Sequence, residues 1–163
     1  MPTRVRLVLG FALSLAAADA HAAKPDADSV CGLRIGTSFS ASPQSGDASY
    51  WGPAKITLST HTVAAYRWNI FAPDSCTMLR KPAGGSPHLL VYIDQPNSGT
   101  LQALSFLPRD HNCKRVEASL SKAFGAPQAR TESTLEWLHP PKQLVLLSHY
   151  AGGECWVTYA AVL

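Results

Sequence analysis

The pattern of hydrophobic and polar positions reads most cleanly from residue 88. His88–Asp94 is rich in Leu, Val, Tyr and Ile and predicts a strand. Gln95–Gly99 (Gln-Pro-Asn-Ser-Gly) has turn chemistry. Thr100–Leu107 then predicts the return strand of a hairpin. The period changes next. Cys113, Val116, Leu120, Ala123 and Phe124 fall on one stripe at helical spacing, which predicts a helix over about 112–124. Asp110 or Asn112 can cap its start, and Gly125 followed by Pro127 stops it. Three further strands are predicted at Thr134–Leu138, Gln143–Tyr150 and Glu154–Ala161. His139-Pro140-Pro141-Lys142 joins the first two, and Ala151-Gly152-Gly153 joins the last two.

The first half reads less evenly. Cys31–Ile35 is a short candidate strand. Gly36–Pro53 is rich in Ser, Gly and Pro and reads as a long loop, with Tyr50 and Trp51 as its only large anchors. Lys55–Phe71 is β-rich. Tyr66, Trp68 and Ile70 alternate there with Arg67 and Asn69, the pattern of a half-buried strand. Pro73–Pro87 reads as another loop and holds Cys76. The expected fold class is therefore α+β: an antiparallel sheet with one main helix packed on one face, braced by two disulfides.

The N-terminus adds a location. Arg4 and Arg6 precede an apolar stretch from Val5 to Ala18, and Ala20-His21-Ala22 offers small residues at both positions a signal peptidase reads. Residues 1–22 are thus expected to be a signal peptide cleaved near Ala22/Ala23. Residues 23–163 would form a single α+β domain, with 23–30 as a flexible lead-in. The expected compartment is the periplasm or the exterior of a bacterial cell. No cysteine follows the cleavage point directly, so no lipid anchor is expected. The longest later apolar runs, such as Leu89–Ile93, are strand-sized, and no membrane anchor is expected after cleavage.

An oxidising compartment lets Cys31, Cys76, Cys113 and Cys155 pair. Four cysteines allow three pairings. Cys113 lies on the apolar stripe of the helix and Cys155 opens the last strand. Pairing Cys113 with Cys155 leaves Cys31–Cys76 to tie the first strand to the middle loop. Cys155, Val157 and Tyr159 would then face the helix, because alternate strand residues share a face. Trp156 and Thr158 would point the other way. That face needs cover, either from the first half of the chain or from a partner.

The remaining chemistry is sparse. Lys+Arg exceed Asp+Glu by three, and the leader removes Arg4, Arg6 and Asp19. The basic residues form no stripe, so no nucleic-acid partner is expected. No C-x-x-C or H-x-x-x-H pair suggests a metal, and no cofactor is expected. No G-x-S-x-G elbow is present. Ser86 beside His88 reads as a turn before a strand, Asp110-His111 as a helix cap, and His61, His139 and His149 as isolated histidines. Carboxylates show no recognisable pair for glycoside hydrolysis. The chain is therefore read as non-enzymatic, and no catalytic residue is assigned.

One stretch resembles a known family. Val116, Leu120 and Phe124-Gly125-Ala126-Pro127, followed by Leu135-Glu136-Trp137, give a helix ending in L-x-x-x-F-G-x-P, then a strand with Trp and a closing hairpin. Residues of about 100–161 in this way resemble the helix-plus-hairpin units of secreted bacterial proteins. These are the β-lactamase-inhibitor-protein family and the assembly lipoproteins of the SmpA/OmlA type. Cys31-Gly32-Leu33-Arg34-Ile35-Gly36 is similar to the opening strand of such units. The resemblance implies a binding module and transfers no functional residue. The expected function is a protein-binding module, with an inhibitor or immunity protein against an envelope-targeting enzyme as its most concrete form. A structural or assembly factor of the envelope is the alternative, and a small secreted hydrolase the third reading. Trp156 and Thr158 are the first candidate partner-binding residues, because Trp is a frequent interface anchor. His139 and Lys142 mark a second candidate surface.

Overall fold

A computed structural model describes residues 29–40, 48–57, 62–73, 75–83, 86–139, 143–149 and 152–161. The expected leader and most of the lead-in lie outside the described residues. Eleven strands and one helix are present among them: β1 Ser29–Val30, β2 Leu33–Arg34, β3 Ser38–Ser40, β4 Ala48–Thr57, β5 Thr62–Phe71, β6 His88–Ile93, β7 Ser98–Phe106, α1 Cys113–Phe124, β8 Ala129–Arg130, β9 Thr134–His139, β10 Gln143–His149 and β11 Cys155–Ala161.

β1 and β2 form a small hairpin around Cys31-Gly32. Both of those residues have positive φ, 53° and 84°, as a two-residue hairpin turn of the primed type requires. The other nine strands form one sheet in the order β4-β5-β6-β7-β11-β10-β9-β8, with β3 also pairing β7. Every pairing in it is antiparallel. The chain leaves β7 in mid-sheet and resumes at the far edge, four strand spacings or roughly 19 Å away. The twelve residues of α1 span roughly 18 Å. The helix is thus long enough to carry the chain to β8, from which β9, β10 and β11 return towards β7.

α1 forms where its stripe predicts. The Asn112 side chain accepts hydrogen bonds from the Lys114 and Arg115 amides, and Gly125 closes the C-terminus at φ 86°. Val116 and Leu120 are its buried residues. They join one core with Trp68, Leu89, Val91, Trp137 and Val145. Burying each of these two helix side chains contributes roughly 1.5–3 kcal/mol. Both buried indoles are satisfied. Trp68 Nε1 donates to the Pro96 carbonyl and Trp137 Nε1 to that of Gly125, each at 2.8 Å.

The expected α+β class is corrected by this arrangement. Strands take 56% of the structure and the single helix brings the helical share to 11%, so the chain is a mostly antiparallel β protein. The difference arises in the first half. Residues 48–53, read as loop, are the first part of β4, and 38–40 form β3. β4 is an edge strand. An edge tolerates Pro53, which lacks a ladder donor, and its exposed positions print no hydrophobic alternation. The expectation of two disulfides is corrected as well. Cys31 and Cys76 are bonded, whereas Cys113 and Cys155 are thiols. Cys113 Sγ lies 3.4 Å from the Gly153 carbonyl oxygen and donates to it.

The two faces of the last strand divide as the helix stripe implies. Cys155, Val157 and Tyr159 belong to the core beneath α1. Trp156 and Ala160 belong to a second cluster with Ile56, Val63, Ala65 and Tyr92. β5 pairs with β6 only over Tyr66–Phe71. Its first four residues overhang by roughly 13 Å. Ile56, Val63 and Ala65 on this overhang are nevertheless buried with Leu90 and Ala103. The outer end of the β4–β5 hairpin is therefore an arm folded onto the second face. Cover for that face comes from the first half of the chain.

Candidate functional site

The site begins with a β-bulge. Tyr50 pairs with Trp68 and Gly52 with Arg67, so Trp51 is an extra residue in β4. Gly52 at φ 91° accommodates the irregularity. Bulges re-aim side chains, and here Trp51 meets the Arg67 guanidinium, whose central carbon lies 5.3 Å from the ring centroid. Such a contact contributes about 0.5–1 kcal/mol at an exposed position. Trp51 remains half exposed, at 50%.

A groove of about 450 Å³ separates the arm from the open part of the second face. Lys55 and Ile56 contribute to it from the arm, and Trp51 and Arg67 from the part of β4 and β5 that pairs with the rest of the sheet. Tyr92, Ser105, Trp156 and Thr158 contribute from the sheet, with Thr134 and Ser148 farther along. Its size falls within the range of ligand-binding clefts. Ser105 Oγ and Thr158 Oγ1 are both buried and hydrogen-bond to each other at 2.7 Å. Hairpin register sets Leu146 opposite Thr158 and Ser148 opposite Trp156. Among the described residues the lining charges are Lys55 and Arg67, both cationic. Glu136 is buried on β9, two positions from Thr134, but does not line the groove.

Arg67 differs from the other buried or partnered arginines. Arg80 meets Glu154 at 2.8 Å, Arg115 meets Asp110 at 3.0 Å and Arg130 meets Glu117 at 2.7 Å. Arg67 is half-buried, and its Nε is buried without a hydrogen-bond partner, as are Arg80 Nε and Asn69 Oδ1. No carboxylate among the described residues pairs with the Arg67 guanidinium.

Among the sequence-predicted residues, Trp156 and Thr158 meet in the groove. His139 ends β9, and its side chain lies outside the described residues, as does Lys142. Trp51, Arg67, Tyr92 and Ser105 were not singled out as site residues. Arg67 had one signal, its polar position between Tyr66 and Trp68. Trp51 had none, because the bulge that aims it is invisible in composition.

Among the described residues, His88, His111 and His149 join no metal-holding group. His88 Nδ1 lies 3.1 Å from Asn69 Nδ2 and its ring packs against Phe71. His111 follows Asp110 at the helix start, and His149 ends β10. His61 lies outside the described residues. No group of three His, Cys, Asp or Glu among the described residues could hold a metal ion. The Asp110 carboxyl is held below its ordinary range by the Asn112 amide and then by Arg115. The Cys155 thiol is pushed up to about 12 by burial and by hydrogen bonding with Cys113.

A second depression, of about 580 Å³, lies on the outer part of β4 and β5, lined by Pro53, Ala54, Ala64, Tyr66 and Asp94. Asp94 is already used there. Its carboxylate accepts the Thr100 amide at 2.8 Å in the β6–β7 turn. Beyond Asp94, Lys55 and Tyr66 the rest of its lining is alanine and proline, so the groove with its two tryptophans is the better candidate. Comparison with protein-family models, curated proteins and solved structures finds no match for this chain.

Proposed function

We propose that this chain is an exported, non-enzymatic binding module that engages another protein through the groove between the β4–β5 arm and the sheet. One observation carries the reading: two tryptophans from the two halves of the chain, Trp51 and Trp156, line one groove above a floor buried and hydrogen-bonded through Ser105–Thr158. Binding energy at protein interfaces concentrates in a few aromatic and arginine anchors on preorganised surfaces. This groove holds both residue types.

The leader-like pattern of residues 1–22 supports export to the periplasm or beyond, and the Cys31–Cys76 bond suits an oxidising compartment. No helix among the described residues is long and apolar enough to cross a membrane. An inhibitor or immunity protein against an envelope-targeting enzyme is the most concrete form of the proposal.

The test is site-directed photo-crosslinking in the producing cell. A photoreactive side chain at Trp156 is expected to yield a discrete protein adduct, and one at Lys122 on the helix is not. An adduct only at Lys122, or at neither site, counts against the groove.

A further inference from the structure

We infer that the partner presents an acidic side chain, Asp or Glu, to Arg67, making the groove a receptor for a carboxylate-bearing segment. The inference rests on the proposed reading of the groove as a protein-binding site. Three observations support it. First, Arg80, Arg115 and Arg130 each have a carboxylate within 3.0 Å, while Arg67 has none among the described residues. A guanidinium pairs most strongly with a carboxylate, through two parallel charge-assisted hydrogen bonds. Second, Trp51 against the guanidinium restrains Arg67 before any ligand arrives. A restrained planar fork loses less freedom on meeting a carboxylate than a mobile lysine would. Third, among the described residues the lining charges are Lys55 and Arg67. These two cations complement an acidic segment.

The surrounding side chains indicate how such a segment would lie. The carboxylate meets the outer guanidinium nitrogens beside Trp51. Trp156 offers an apolar wall to the neighbouring residue, while the Thr134 and Ser148 hydroxyls lie near enough along the groove to bond peptide groups. Acidic protein segments and small free carboxylates share the Arg67 chemistry. Only the former reaches from Trp51 to Trp156.

The test uses the full chain and three probes: an acetylated hexaglutamate peptide, the matching hexaglutamine peptide, and sodium acetate. Binding is followed by tryptophan fluorescence and calorimetry at about 25 and about 250 mM salt. Hexaglutamate is expected to bind and to weaken at the higher salt. Arg67→Gln is expected to weaken it about ten- to a hundredfold, the range for loss of a charge-assisted pair. Arg67→Lys should retain part of the affinity, and a thermal melt of each variant checks that it folds. Failure of hexaglutamate to bind, equal binding of hexaglutamine, or unchanged affinity in Arg67→Gln overturns the inference. So does acetate competing at the same concentration as the peptide. Hexaglutamine binding that is lost in Trp156→Ala would leave the groove as a binding site and remove only the carboxylate. No peptide binding together with no adduct at Trp156 would remove both.

Discussion

Removing the Cys31–Cys76 bond should destabilise this fold more than any single surface change. The bond joins residues 45 apart in sequence. Loop-closure entropy for a ring of that size gives about 4 kcal/mol at room temperature. That is a large part of the roughly 5–15 kcal/mol available to a domain. The native side of the balance is also engaged. Cys31 sits at positive φ in the β1–β2 turn, and Val30 beside it is 1% exposed in the main core. A two-stranded hairpin is marginal by itself, so the tether to Cys76 keeps Val30 packed. The Cys31→Ser/Cys76→Ser double variant, compared with the intact protein in urea, should lose about 4 kcal/mol. At roughly 3 °C per kcal/mol for a chain of this size, the midpoint should fall by about 12 °C. A loss below about 1 kcal/mol would refute the reasoning. It would mean that the unfolded chain is already compact over residues 31–76, or that β1–β2 contributes nothing to the core.

Three further outcomes follow from the local geometry. Alkylation of the native, non-reduced protein near pH 8 should label half-exposed Cys113 and spare Cys155, which is 1% exposed. Peptide mapping would show this, and rapid labelling of Cys155 in the folded state would contradict its burial. The raised Cys155 pKa stabilises the fold below the unfolded value of 9.0, and that contribution is lost as pH rises from there through about 12. Cys155→Ser should therefore flatten the alkaline limb of a stability profile, and an unchanged limb would count against the shift. Asn112→Ala removes the acceptor for two amides at the start of α1. It should cost about 1 kcal/mol in chemical denaturation, and no change would show that solvent caps the helix equally well.

The second half of the chain was legible because burial leaves a period. His88–Ile93, α1 and β11 each bury one face or both, so their apolar residues recur at the spacing of the element. The pattern also placed Cys155, Val157 and Tyr159 under the helix and Trp156 and Thr158 opposite, as the core clusters have it. β4 was not legible. Its residues Ala48, Ser49, Gly52 and Pro53 fit an edge strand only once β5 is beside it, and local composition cannot encode a tertiary neighbour. The consequence was an underestimate of strand content. The groove was half legible for the same reason. Trp156 followed from strand parity, whereas Trp51 and Arg67 come together only through a register shift between β4 and β5. The cysteines illustrate a separate limit: parity set Cys113 beside Cys155, but adjacency alone did not make a bond.

The central claim is that the groove is where this protein meets its partner. The most direct measurement is the dissociation constant of the complex between the crosslinked partner and the full chain, for the wild type and for Trp156→Ala. Both proteins should first be shown to melt cooperatively. A tryptophan anchor at an interface is worth about 2 kcal/mol or more, so the account predicts at least roughly thirtyfold weaker binding for Trp156→Ala. Unchanged affinity in a folded Trp156→Ala protein would contradict it, most pointedly if changes at His139 and Lys142 abolished the complex instead.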